Sequence, residues 1–260
     1  MPPDAAAWPA GWLPATGLPP QVAGLMTSRQ GGVSAAPFDS LNLRPPGLRG
    51  DAVDAPAAVW ENQRRLAAVL GGAQPVYLDQ VHGTAVVRLT AASLGQTPLP
   101  QADASITTEP GLACTVLVAD CLPVLLATAD GQAVGAAHAG WRGLAGGVLE
   151  ATLAALQDAS QQPASQMHAW LGACIGPQRF EVGPDVREAF GDAPQACFVP
   201  TGQPAKWWAD LPSLARWRLA RAGVGRVSGG HWCTHSDASR FFSYRRDRVT
   251  GRHAAVIWRR

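Results

Sequence analysis

Charge is what this 260-residue chain has least of: Asp, Glu, Lys and Arg make up 15% of it, and the net charge is +2. No basic field exists of the kind that gathers nucleic acid or an anionic lipid surface, so neither is an expected partner. The run from Arg240 to Arg252 is the one local exception, and a solvated surface segment is the plain alternative reading of it. Methionine (three), tyrosine (two) and histidine (six) are scarce. The five cysteines, at 114, 121, 174, 197 and 233, contain no CxxC pair and are odd in number. That pattern excludes a disulfide framework and points to a reducing compartment. No continuous membrane-length apolar run exists either. The longest, LACTVLVADCLPVLLA (112–127), is interrupted by Asp120 and Pro123. The N-terminus MPPDAAAWPAGW has no basic n-region and no unbroken apolar core, so a secretory signal is not expected. Cytoplasmic location is the expectation.

What the chain does have is apolar residues, 47% of the total, enough for a large core. The first twenty residues, rich in Pro and Ala, are expected to lie along the surface. VAGLMTSR (22–29) reads as a strand, and 37–52 shows no period and reads as a long loop. AAVWENQRRLAAVLGG (57–72) has apolar residues at helical spacing and stops at Gly71-Gly72. PVYLDQVHG and TAVVRL are expected to pair with each other. CTVLVADC and PVLLAT are apolar on both faces, as central strands are, and ADG (129–131) signals a hairpin. Helices are expected at 143–159, 184–190 and 211–223, and a last strand at 253–258. Hairpin signals without strict strand–helix alternation favour one α/β (α+β) domain over 1–260, with a mixed, mainly antiparallel sheet.

Three residues at the edges of apolar runs stand out: His82 in QVHG, Cys121 in ADC and His138 in AHAGWRG. Two imidazoles and a thiolate suit a divalent metal with one position open. Neighbouring strand ends can bring such distant residues together. Spacings of 39 and 17 residues match no zinc-finger rule. A buried Cys is also an ordinary small hydrophobe, and a His beside Gly an ordinary turn residue. Zinc is the expected ion and copper the alternative. A blue-copper centre wants an axial Met, and Met1, Met26 and Met167 all lie away from these motifs. Six histidines are too few for a multicopper cluster.

Further chemistry surrounds the three. Asp120, in so apolar a run, is either a hydrogen-bonded anchor or a general base. Cys121 could instead act as a nucleophile with His138 or His82 as its base. AHAGWRGLAGG runs from a strand through glycines into a helix. It either binds an anion together with Arg142 or simply permits close packing. Arg29 and Arg245 are further candidates for phosphate.

Taken in order, TSRQGGVS (27–34), SLNL (40–43), QVHG (80–83), ADASITTEPG (102–111), ADCLPVLLA (119–127), AAHAGWRG (136–143), GACIGP (172–177), FEVG (180–183), CTHSDASRFFSYRRD (233–247) and TGRHAAVIW (250–258) resemble the YfiH/PgeF family, long labelled laccase-domain proteins. The resemblance spans about residues 22–258. It implies an αββα sandwich similar to the cytotoxic-necrotizing-factor catalytic domain, with His82, Cys121 and His138 as metal ligands. It implies purine nucleoside phosphorylase activity on adenosine, inosine and methylthioadenosine, with adenosine deamination as well. The partners would be a nucleoside and phosphate, and the protein a monomer or small homo-oligomer. A second activity linked to the family is amide cleavage on UDP-MurNAc-Ser-type peptidoglycan precursors, with Cys121 as nucleophile. The chain departs from the family pattern at RPPGLRGDAVD (44–54), at His235 and at Cys174.

Overall fold

A computed structural model describes residues 8–48 and 53–260. Its strands are β1 (Leu13–Pro14), β2 (Val22–Met26), β3 (Gln74–Val76), β4 (Val86–Arg88), β5 (Ala104–Thr107), β6 (Leu112–Val118), β7 (Leu122–Thr128), β8 (Val134–Ala139), β9 (Met167–Leu171), β10 (Glu181–Val182), β11 (Phe198–Pro200), β12 (Trp207–Ala209), β13 (Arg226–Gly229) and β14 (His253–Arg259). The helices are α1 (Pro56–Ala68), α2 (Trp141–Gly146), α3 (Val148–Ser160), α4 (Pro184–Ala189), α5 (Leu211–Arg221) and α6 (Tyr244–Asp247).

A five-stranded sheet has the order β1-β2-β14-β6-β3, and a six-stranded sheet the order β13-β9-β7-β8-β5-β4. Both are mixed, with antiparallel pairs in the majority. A small three-stranded sheet, β10-β12-β11, lies apart. Successive strand residues face opposite ways, so each doubly buried strand feeds two cores. On β7, Leu122, Val124 and Leu126 pack with α3 and α5, through Leu149, Leu153, Leu214 and Leu219. Leu125 and Ala127 face the other way, into a core shared with Cys114 and Val116 of β6 and Ala255 and Ile257 of β14. On the far side, Ala254 and Val256 of β14 meet Leu66 of α1. Three cores between four layers give an αββα sandwich.

Several expectations need correction. PVYLDQVHG and TAVVRL do not pair: β3 joins β6 in one sheet and β4 joins β5 in the other. The expected helix 143–159 lies in two pieces, α2 and α3, parted at Gly147 in the left-handed region. The start of the chain is not all surface, because Trp12 and Leu13 are buried and β1 pairs with β2. Residues 1–7 of that segment, and 49–52 of the long loop, lie outside the described residues. No described helix is long and apolar enough to cross a membrane.

Leu126 is fully buried in the core between β7 and the helices. Replacing it with Ala is expected to lower unfolding stability by about 2–5 kcal/mol, read from the urea midpoint. Truncating exposed Val199 to Ala should stay within about 0.5 kcal/mol.

Candidate metal centre

The junction between the two sheets makes the site. β6 belongs to one sheet and β7 to the other, and the chain crosses between them at Ala119-Asp120-Cys121. Asp120 turns that corner with φ 91°. His82 sits in the loop before β4, not at a strand end, with φ 61°. His138 lies within β8, opposite Pro123 of β7. The donor atoms of His82, Cys121 and His138 all fall within 4.8 Å of one another. Cys121 Sγ is 3.9 Å from His82 Nε2. The two imidazoles meet edge to face with centroids 4.8 Å apart. In a tetrahedral zinc shell the donors stand about 3.3–3.6 Å apart, so a small closure seats one ion. Burial runs from exposed His82 through half-buried Cys121 to buried His138, which leaves one side accessible.

The electrostatics suit a ligand set. Burial pushes the Cys121 thiol up, but the charge and hydrogen bond of His138, then those of His82, outweigh it and bring the thiol down to about 6. Burial pulls His138 down, and the neighbouring thiolate and Asp103 together lift it to about 9.

Asp103, which the sequence reading passed over, organises the cluster. It is fully buried just before β5. Its carboxylate accepts hydrogen bonds from the backbone N–H of Val81 (3.1 Å), His82 (2.9 Å) and Gly83 (2.6 Å). It also contacts His138 Nδ1 at 2.8 Å, which leaves Nε2 for the cluster. The signal was available: an acid in QADASIT, ahead of a buried strand, needs partners for the same reason as Asp120.

Asp120 is fully engaged. Thr234 Oγ1 donates to its Oδ1 (2.6 Å), and Ser243 Oγ (3.0 Å) and the Arg245 N–H (2.6 Å) donate to its Oδ2. The anchor alternative describes this geometry. It also explains the cluster of polar residues in CTHSDASRFFSYRRD, which brackets the corner before Cys121. The glycines of HAGWRG serve close packing. A Cβ on Gly140 would come within 3.0 Å of Cys121 Sγ and of His82 Cδ2, and one on Gly143 within 2.8 Å of the Gly83 carbonyl.

The cluster opens on a cavity of about 410 Å³. Leu78, Leu117 and Val118 give it apolar walls, and Asp79, Tyr244, Arg44 and Arg252 polar ones. None of the three arginines expected to hold phosphate lines it. Arg29 spends its donors on Asp39 and the Ala238 carbonyl. Arg142 is exposed over the Trp141 ring. Arg245 donates to the Glu181 carbonyl over the Phe180 ring. Arg44 and Arg252 were not singled out, because a guanidinium's direction depends on distant segments.

Asp103→Asn is expected to lower zinc affinity about 10–100-fold while the protein stays folded, measured by chelator competition and circular dichroism. Gly140→Ala should leave the sandwich intact and abolish stoichiometric zinc, read by elemental analysis, because the added methyl occupies the space between sulfur and imidazole.

Residues 23–260 match the family model described as "Multi-copper polyphenol oxidoreductase laccase". A curated purine nucleoside phosphorylase of Pseudomonas aeruginosa is 48% identical over 254 residues, covering 96% of both chains. The purine nucleoside phosphorylase YfiH of Escherichia coli is 46% identical, over 92% of this chain and 95% of its own. Among solved structures, a Neisseria meningitidis protein superposes with TM-score 0.87 at 44% identity, over 96% of this chain and 99% of that one. YlmD of Geobacillus stearothermophilus gives 0.85 at 31%, over 93% of each. With its sheets, its donor cluster and nearly its whole length accounted for, the chain belongs to the YfiH family of laccase-domain proteins.

Proposed function

We propose that this chain is a metal-dependent purine nucleoside phosphorylase, with adenosine deamination as a second activity of the same cavity. The observation that carries the reading is the convergence of His82, Cys121 and His138 on a cavity of about 410 Å³, within the range of small-molecule sites. The names of the relatives supply the reaction class.

Zinc, or copper in its place, held by His82, Cys121 and His138 would supply Lewis-acid polarisation and a water of lowered pKa. The rest falls to the chain's own residues. Leu78, Leu117 and Val118 exclude water from one side of a planar base, and Tyr244 offers its ring beside them. Gln80 cannot swing, because its side-chain amide both donates to and accepts from the Leu117 backbone. Asp79 Oδ2 accepts from Gln101 Nε2. Its Oδ1 makes no hydrogen bond among the described residues, so it is the atom suited to hold a purine N–H or to take the proton of the attacking water.

Pure zinc-loaded protein given inosine and phosphate should release hypoxanthine and ribose 1-phosphate in equal amounts. Adenosine should yield adenine and, by deamination, inosine. Cys121→Ala is expected to reduce both rates by at least about a hundredfold. Wild-type protein without product, or the variant at the wild-type rate, would sink the proposal.

One observation favours a second reading, a cysteine amidase. Cys121, His138 and Asp103 stand in the order of a nucleophile, its base and the group that orients the base. It predicts amide cleavage of a UDP-MurNAc-Ser-type precursor that persists in chelator, with a covalent adduct at Cys121.

A further inference from the structure

We propose that Cys233 and Cys174 form a reversible dithiol–disulfide site, which exchanges with a small carboxylate-bearing disulfide docked in the cleft beside Cys233.

An isolated parallel β-bridge pairs Cys174 with Cys233, and the Thr234 N–H donates to the Cys174 carbonyl at 2.9 Å. Paired residues on neighbouring strands stand about 4.8 Å apart and present their side chains on the same face. A disulfide spans Cα atoms about 4.4–6.8 Å apart, so the backbone already holds the two residues at bonding separation. Both lie against the start of α5. Cys174 packs with Ala209, Leu211 and Leu214, and Cys233 shares a wall with Asp210 and Ser213. The two thiols differ in access. Cys174 is fully buried, whereas half-buried Cys233 lines a cleft of about 380 Å³. No described residue lines both this cleft and the cavity of the metal centre.

The cleft suits an anion. Exposed Arg179 and half-buried Arg216 stand on its wall. Arg216 donates to the Val227 and Gly229 carbonyls (3.3 and 2.6 Å), contacts that aim the guanidinium without cancelling its charge. Asp210 is the one carboxylate among the described residues of the wall, and its two oxygens accept from the N–H and the hydroxyl of Ser213. Two guanidinium groups against one engaged carboxylate favour a negative ligand.

The order of events follows. Cys233 Sγ accepts the Gly176 N–H at 3.1 Å, a bond that favours the thiolate. Burial, then the charge of Asp210, push the Cys174 thiol well above its ordinary value, so it does not react first. The Cys233 thiolate attacks one sulfur of the small disulfide, whose S–S bond breaks. One small thiol leaves with the proton that Cys233 gave up. The Cys174 sulfur then attacks Cys233 Sγ, and its proton goes to the second small thiol as that leaves. Two protein thiols are oxidised and one small disulfide is reduced to two thiols. A reducing compartment permits such a bond as a transient one. The bond forms behind the metal centre. Thr234 and Ile175, each next to one of the cysteines, hold the side chain and the carbonyl of Asp120, which turns the corner into Cys121. Closure takes Cys233 Sγ from Gly176 and pulls on both supports, so the oxidised protein should release zinc faster. That effect rests on the metal-site reading, whereas the disulfide does not.

The test is incubation of full-length, zinc-loaded protein with oxidised glutathione, followed by intact-mass analysis and peptide mapping. Wild type should lose two hydrogens, with the Cys174 and Cys233 peptides joined and both thiols restored by dithiothreitol. Cys174→Ala should stop at a glutathione adduct on Cys233, and Cys233→Ser should form neither product, with circular dichroism unchanged in both. On the Cys174→Ala background, Arg216→Met and Arg179→Met should each slow the adduct about threefold or more, and neither should slow reaction with cystamine, a cationic disulfide. Wild type without joined peptides, or adducts confined to Cys121, overturns the site. Equal slowing with both disulfides, or with neither, overturns the docking of an anion. Zinc release, followed with a chromogenic chelator, should be faster after oxidation of wild type and unchanged in glutathione-treated Cys233→Ser. Equal release from the two overturns the link to the metal centre.

Discussion

A buried carboxylate holds the centre together. Asp103 has no solvent contact, and an isolated charge there would be prohibitively costly. Three successive backbone N–H groups and one imidazole nitrogen offset that cost. Burial raises its pKa, and the hydrogen bond and charge of His138, then the Gly83 and Val81 amides, bring it below the ordinary value. The same contacts that stabilise the charge fix where two ligands stand. His82 cannot leave without unpairing an amide from Asp103, and His138 cannot turn without losing its Nδ1 partner. The Asp103 carbonyl also accepts the His138 N–H at 2.7 Å, so backbone and side chain pin the same strand.

Asp120 performs the matching task for the third ligand. Its left-handed backbone lets the chain leave one sheet and enter the other within three residues, a conformation that costs a non-glycine residue on the order of 1 kcal/mol or more. Its two carboxylate oxygens collect three hydrogen bonds from residues more than a hundred positions away. Its carbonyl accepts from Ile175. His82 occupies the same left-handed region. Two of the three candidate ligands therefore depend on non-glycine residues in a strained backbone region, each secured by a buried acid. Pre-organisation of this kind is what a site of fixed geometry needs.

The sequence revealed elements and chemistry more readily than contacts. Amphipathic α1 and α5, the β7–β8 hairpin and β14 were legible because their patterns are local. Which sheet a strand joins was not. β6 and β7 are apolar on both faces, so their pattern is the same wherever they lie, and β3 and β4 are only three residues long. Asp120 read correctly as a residue requiring partners, yet nothing local named Thr234 or Ser243. His82, Cys121 and His138 were legible as a donor set by residue type and motif. Asp103 was hidden because its partners are mostly backbone amides, which every residue carries. Arg44 and Arg252 were hidden because the segments that carry them are far apart in the chain and meet only in the fold, where Asn42 Oδ1 accepts the backbone N–H of both.

The donor set itself bears on whether sulfur acts as ligand or nucleophile. A nucleophilic thiolate needs one imidazole and one group to orient it, and Cys121, His138 and Asp103 satisfy that alone. His82 is then superfluous. Yet its backbone is strained, its amide is tied to Asp103, and its Nε2 points at the sulfur from 3.9 Å. Structure maintained at a cost serves something, and a second imidazole facing a thiolate completes a three-donor shell with one side open. The multicopper label fares less well. Of the other histidines, His253 is buried and takes the Phe242 N–H, and His168 contacts the Gly17 carbonyl. Among the described residues one such donor cluster exists, and its size is that of a single ion.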